Sequence, residues 1–113
     1  MGETAEEAII REVQEELKIT PNIIRPLWLN QGFFTEDVDH LDYHELCIYF
    51  LLDCSDTDLA SRGETFTLYE GKHTLTFKWL DFYRLESEYF YPIFLKKHIF
   101  RLPETFTLFI ERE

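Results

Sequence analysis

Two rhythms of apolar and polar positions run along this chain. From Ala5 to Leu17 the period is helical: Ile9, Ile10, Val13 and Leu17 make one apolar stripe, and Glu7, Arg11, Gln14 and Lys18 take the wet side. Thr4 followed three residues later by Glu7 is a capping-box pattern, with Thr4 as N-cap, and Thr20-Pro21-Asn22 closes the segment. Beyond it the rhythm is extended. Ile23 to Phe34 reads as a strand in which Pro26 and Gly32 suit an edge or a bulge. Thr35 to Asp42 is a polar, acidic connection. Tyr43 to Asp53 carries apolar residues on both faces, which predicts a central strand covered on both sides. Ser55 to Lys72 reads as a long loop containing Gly63 and Gly71, and Thr74 to Leu80 as a strand with Leu75, Phe77 and Trp79 inward. Pro92 suits the first turn of a last helix, which Pro103 stops. Thr105 to Glu111 is a final strand or extended tail, and no internal repeat is present.

A third stripe on the first helix changes the picture. Glu12, Glu15 and Glu16 lie three and four residues apart and so are neighbours on one face, with the small Ala5 and Ala8 one and two turns earlier. Like charges at this spacing repel by a few tenths of a kcal/mol per pair, roughly. No lysine or arginine falls on the stripe, although Arg11 stands at its edge. A divalent cation would reverse the sign of that repulsion, since carboxylates are the hard oxygen ligands that Mg2+ and Mn2+ take. A solvated acidic face is the other reading of the same pattern. The alanines beside the carboxylates and the order of the residues favour the ligand reading.

That order resembles the Nudix box of the Nudix hydrolase family, including its ADP-ribose pyrophosphatase and MutT-like members. Glu3 is followed by seven residues and then by Arg11-Glu12-Val13-Gln14-Glu15-Glu16, Leu17, Lys18 and Ile19. The resemblance implies that Glu12, Glu15 and Glu16 are the catalytic and metal-binding residues for Mg2+ or Mn2+, and that Glu3 and Arg11 form the structural pair of the motif. It implies hydrolysis, by water, of the pyrophosphate bond in a nucleoside diphosphate linked to another group, with Glu12 helping to take the proton of that water. It also implies an α+β fold, a Nudix-like α/β/α sandwich with a mixed β-sheet. Two positions depart from the box. Its opening glycine, six residues ahead of the first glutamate, has no counterpart here, and Lys18 stands where the box ends in glycine. Family members place further strands before the box, so the chain is expected to be one domain, residues 1–113, that lacks the N-terminal strands of the family fold. A sheet without those strands leaves open edges, from which a homodimer is expected. The alternative function is a catalytically inactive Nudix-like binding or assembly module.

Composition narrows the partners. The chain has 113 residues, enough for one core, and is 45% hydrophobic and 17% aromatic. Its net charge of -11 argues against nucleic acid and anionic membrane as partners, and an anionic nucleotide substrate would need metal ions to approach. Cys47 and Cys54 form neither a disulfide framework nor a CxxC motif. With no signal peptide and no apolar run of about 18 residues, the chain reads as cytoplasmic. The acidic stretch Asp37, Asp39, His40, Asp42, His44 reads as a hairpin tip rather than a metal site. Glu45 begins an inward-facing row and is a candidate distal carboxylate, or else a polar strand end. The aromatic groups Phe33-Phe34 and Tyr89-Phe90-Tyr91 suit packing or the stacking of a base.

Overall fold

The capping box does in space what its spacing dictates. In the computed structural model, which describes residues 2–112, Thr4 sits at φ -73° and ψ 165° and Ala5–Leu17 follows as α1. Glu7 N–H donates to Thr4 Oγ1 at 3.1 Å, and Thr4 N–H donates to a Glu7 carboxylate oxygen at 3.3 Å. Each side chain thus takes up a backbone donor the helix leaves unpaired. After the helix come β1 (Asn22–Thr35), β2 (Asp42–Asp53), a 3-10 turn at Leu59–Arg62, β3 (Thr65–Glu70), β4 (His73–Lys78), a 3-10 turn at Phe82–Ser87, α2 (Leu95–His98) and β5 (Thr107–Arg112). The fold is α+β, with a three-stranded sheet ordered β2-β1-β5 and a two-stranded sheet β3-β4.

Contacts divide the chain into two compact units, one running to Ile24 and resuming at Leu52–Asp81, the other made of Arg25–Leu51 and the segment from Phe82 onward. In the first unit α1 packs on β3, and its apolar stripe is half-buried rather than sealed. β3 and β4 form a hairpin in which Phe66 faces Phe77 and the rings stack at 5.3 Å. Gly71 at φ 59° opens the two-residue turn, a conformation glycine takes without a Cβ clash.

In the second unit β1 is central and pairs in parallel with β5 from Trp28↔Thr107 to Phe33↔Arg112. Leu27, Trp28 and Phe94 are buried, with Tyr49, Leu51, Leu95, Leu102 and Phe109 packed around them. Trp28 meets Phe94 edge-on at 5.5 Å, and Phe94 stacks on Phe109 at 4.8 Å. Such aromatic pairs add about 0.5–1.5 kcal/mol each beyond the area they bury.

Four expectations are corrected. β2 is an edge strand, and its outer residues are open, Leu46 at 63% exposure; an alternation that is apolar on both sides does not reveal which side a neighbour covers. Pro26 sits in the central strand because the partner β5 begins opposite Trp28, two residues later, so the missing N–H lies outside that ladder. The stretch from Ser55 to Lys72 holds a 3-10 turn and all of β3. There Phe66 and Leu68 alternate with threonines, and the hairpin partner makes that weak pattern a strand. Trp79 lies past the end of β4 and is 51% exposed, while Leu75 and Phe77 are half-buried.

Candidate functional site

Arg11 is the hub of the acidic face of α1. Its Nε and Nη2 donate to the two oxygens of Glu3 at 2.8 and 3.1 Å, a two-pronged grip from the helix to the residue just ahead of its N-cap. Its Nη1 donates to Glu15 at 3.2 and 3.3 Å, one turn further on, and Nη2 stands 3.9 Å from Glu12. The fork holds the Glu3 carboxyl below its ordinary value, chiefly through the hydrogen bond and then through the charge of Arg11. The Arg11 guanidinium is pushed up in turn, first by Glu3 and next by Glu15. A stripe free of basic residues is therefore not what forms. An arginine at the stripe's edge reaches i+4 along the helix and meets Glu15.

The structure brings Glu3, Arg11 and Glu15 together, with Glu12 alongside. Glu16 follows Glu15 on the exposed side of the last turn. All three box glutamates are open to water, and among the described residues no group of three or more His, Cys, Asp or Glu side chains is gathered as a metal cage. In donor type and helical spacing Glu12, Glu15 and Glu16 fit a hard divalent cation, and Glu15 must exchange Arg11 to serve one. An exposed i,i+4 pair is weak, so the exchange is easy.

The end of the helix fixes where Glu15 and Glu16 sit. Lys18 adopts φ 59° and ψ 36°, the left-handed conformation that a glycine normally supplies at this position, and its N–H donates to Gln14 O at 3.1 Å. The Lys18 ammonium donates to the Glu15 carbonyl, and Gln14 Nε2 donates to Thr20 Oγ1 at 3.1 Å. Arg62 completes the cap, with Nη1 donating to the Leu17 carbonyl at 2.6 Å. Its Nε and Nη2 meet Asp58 at 3.1 and 2.8 Å, and its guanidinium lies 5.5 Å from the centre of the Phe66 ring. The sequence reading missed Arg62. The only signal was its i,i+4 spacing from Asp58 in a stretch taken for loop.

Glu45 belongs to the second unit. There it lines a cleft of about 450 Å3 together with Asn30, Glu36, Asp37 and Glu111. Phe33 stacks on His44 at 4.3 Å and carries the Arg112 guanidinium 4.6 Å from its ring centre, while Phe34 stacks on Tyr43 at 5.5 Å. The acidic stretch is a hairpin tip, where Asp39 accepts from Leu41 N–H and from the Tyr43 hydroxyl. Cys47 and Cys54 form no disulfide, and no helix of the described residues is long and apolar enough to cross a membrane.

The capped helix, its glutamates and the Glu3–Arg11 fork have a counterpart among known families. The model of the NUDIX domain family matches residues 1–100, and the chain belongs to that family. Membership implies a hydrolase of nucleoside diphosphate derivatives. A comparison with curated proteins found no match.

Proposed function

We propose that this chain hydrolyses the pyrophosphate bond of a nucleoside diphosphate linked to another group, and that Glu12, Glu15 and Glu16 hold the Mg2+ or Mn2+ required. The observation that carries the proposal is α1 itself. It is capped at both ends, and Arg11 ties its acidic face to Glu3 within a NUDIX match that spans the segment. The bound metal would neutralise charge on the pyrophosphate oxygens and acidify the attacking water. Glu12, 3.9 Å from Arg11 Nη2 and open to solvent, would accept the proton of that water. Arg11 anchors the residue ahead of the N-cap, and Arg62 keeps the last turn from fraying. We propose a cytoplasmic location, supported by two cysteines that are not joined in a disulfide.

The test is turnover of a panel of ADP-ribose, NADH, diadenosine polyphosphates and nucleoside triphosphates with Mg2+ or Mn2+, beside thermal melts in millimolar Mn2+. Metal-dependent release of a nucleoside monophosphate from a panel member is expected. So is an Mn2+-induced rise in Tm that Glu12→Gln/Glu16→Gln abolishes. No turnover, together with equal melts for parent and variant, would reject the proposal.

That outcome would favour the second reading, a binding or assembly module. Two observations speak for it: the glutamates are not gathered as a metal cage, and both edges of the three-stranded sheet expose apolar side chains, Leu46 on β2 and Leu108 and Ile110 on β5. On either reading we propose a homodimer formed through these edges.

A further inference from the structure

The cleft of the second unit is built almost entirely from hydrogen-bond acceptors and aromatic rings. Glu36, Asp37, Glu45 and Glu111 bring four carboxylates to its wall, and no lysine, arginine or histidine lines it among the described residues. Phe34, Tyr89 and Tyr91 supply rings, the two tyrosines meeting edge-on at 5.0 Å. At the wall sits Asn30, 4% exposed, whose Oδ1 is buried and has no hydrogen-bond partner among the described residues. A buried acceptor left unmade is costly, which makes it a place where a ligand donor would be taken up.

Chemistry narrows the ligand. A phosphate or carboxylate would meet four lining carboxylates and no lining cation, in a chain whose net charge is -11. A point-like metal ion would take the carboxylates and leave the rings without a role. What remains is an extended cation that has several N–H donors and a face to lay on a ring. The unit holds its own example, since the Arg112 guanidinium lies over Phe33, itself a lining residue. The field in the cleft agrees. The Tyr49 hydroxyl is held well above its ordinary value, first by burial, then by Cys47, Glu45 and Glu111.

We propose that this cleft is a binding site for an organic cation bearing N–H donors, of the guanidinium or protonated-amine class, with Asn30 Oδ1 and Glu45 accepting from it and the rings covering its face. The site shares no residue with the carboxylates of α1, and its test needs no turnover. Backbone amide NMR titration with methylguanidinium chloride should move Asn30, Phe34 and Glu45 saturably, with tetramethylammonium, Mn2+ and guanosine as separate arms. Glu45→Gln should weaken methylguanidinium by about tenfold, the size of one charge-assisted hydrogen bond. Asn30→Leu should do the same, and Glu6→Gln on α1 should not. Because Asn30 is buried and its variant is at risk of misfolding, the exposed Glu45 keeps the proposal testable. Three results would each overturn it: no saturable shift, equal affinity in Glu45→Gln, or tetramethylammonium, Mn2+ or guanosine shifting the same amides at least as strongly as methylguanidinium.

Discussion

Removing Arg62 asks how much of the placement of the box helix rests on a residue outside the box. The side chain is only 16% exposed and serves three partners at once: the Leu17 carbonyl at 2.6 Å, Asp58 at 2.8 Å and the Phe66 ring at 5.5 Å. A hydrogen bond from a charged donor to a part-buried carbonyl contributes about 1.5–3 kcal/mol. The ring contact adds about 0.5–1 kcal/mol. Asp58 is 65% exposed, so its pair with Arg62 adds little after screening. Arg62→Ala should therefore destabilise by roughly 2–4 kcal/mol, which at about 4 °C per kcal/mol lowers Tm by roughly 8–16 °C. Arg62→Lys keeps the charge without the fork and should lose about half as much. Asp58→Asn should lose less than about 0.5 kcal/mol. Because Glu15 and Glu16 stand in the turn that Arg62 caps, Mn2+ affinity should fall together with stability. Urea and thermal melts with and without Mn2+ read all three variants. The account fails if Arg62→Ala lies within about 0.5 kcal/mol of the parent, or if Asp58→Asn is equally damaging.

Lys18→Gly should stabilise the fold by about 0.5–1 kcal/mol, because φ 59° strains any residue with a Cβ; a loss of stability in urea melts would show that the ammonium contact to the Glu15 carbonyl outweighs the strain. The folded-state value of the Glu3 carboxyl lies below its unfolded value, so the grip of Arg11 is fully present above an ordinary glutamate value of 4.5 and is lost as pH falls through the lower folded value. Carboxyl NMR should show Glu3 titrating below the ordinary value of 4.5, and a titration at that value would contradict the fork. Light scattering at micromolar concentration should report a dimer, and Leu46→Lys on the β2 edge should shift it toward monomer; a parent that is monomeric throughout would reject pairing through the exposed edges.

Much of the fold was legible where the signal is local. The bounds of α1 and its Thr4–Glu7 cap follow from residues within four positions of one another. Legibility failed where an element takes its meaning from a distant partner. β3 is a strand because β4 pairs with it, β2 is an edge because β5 takes the other side of β1, and Pro26 is tolerated because the ladder starts at Trp28. None of these is written in the run of residues that forms the element itself.

The site divides along the same line. The glutamates of α1 announce themselves by spacing, since a helix turns sequence separation directly into adjacency. Arg11 is visible in the sequence as well, but its effect depends on rotamers, and from the edge of the acidic face it donates to Glu15 and stands near Glu12. Arg62 is the opposite case, 45 residues from the carbonyl it caps, so no local pattern leads to it. A helix proposed to hold a metal needs both sorts of residue. Its ligands are neighbours in sequence and carry the charge, while the group that stops the ligand-bearing turn from fraying comes from wherever the chain returns. Substitutions at Arg62 should therefore weaken Mn2+ binding without removing a single ligand, a separation of affinity from ligand count that Glu16→Gln cannot produce.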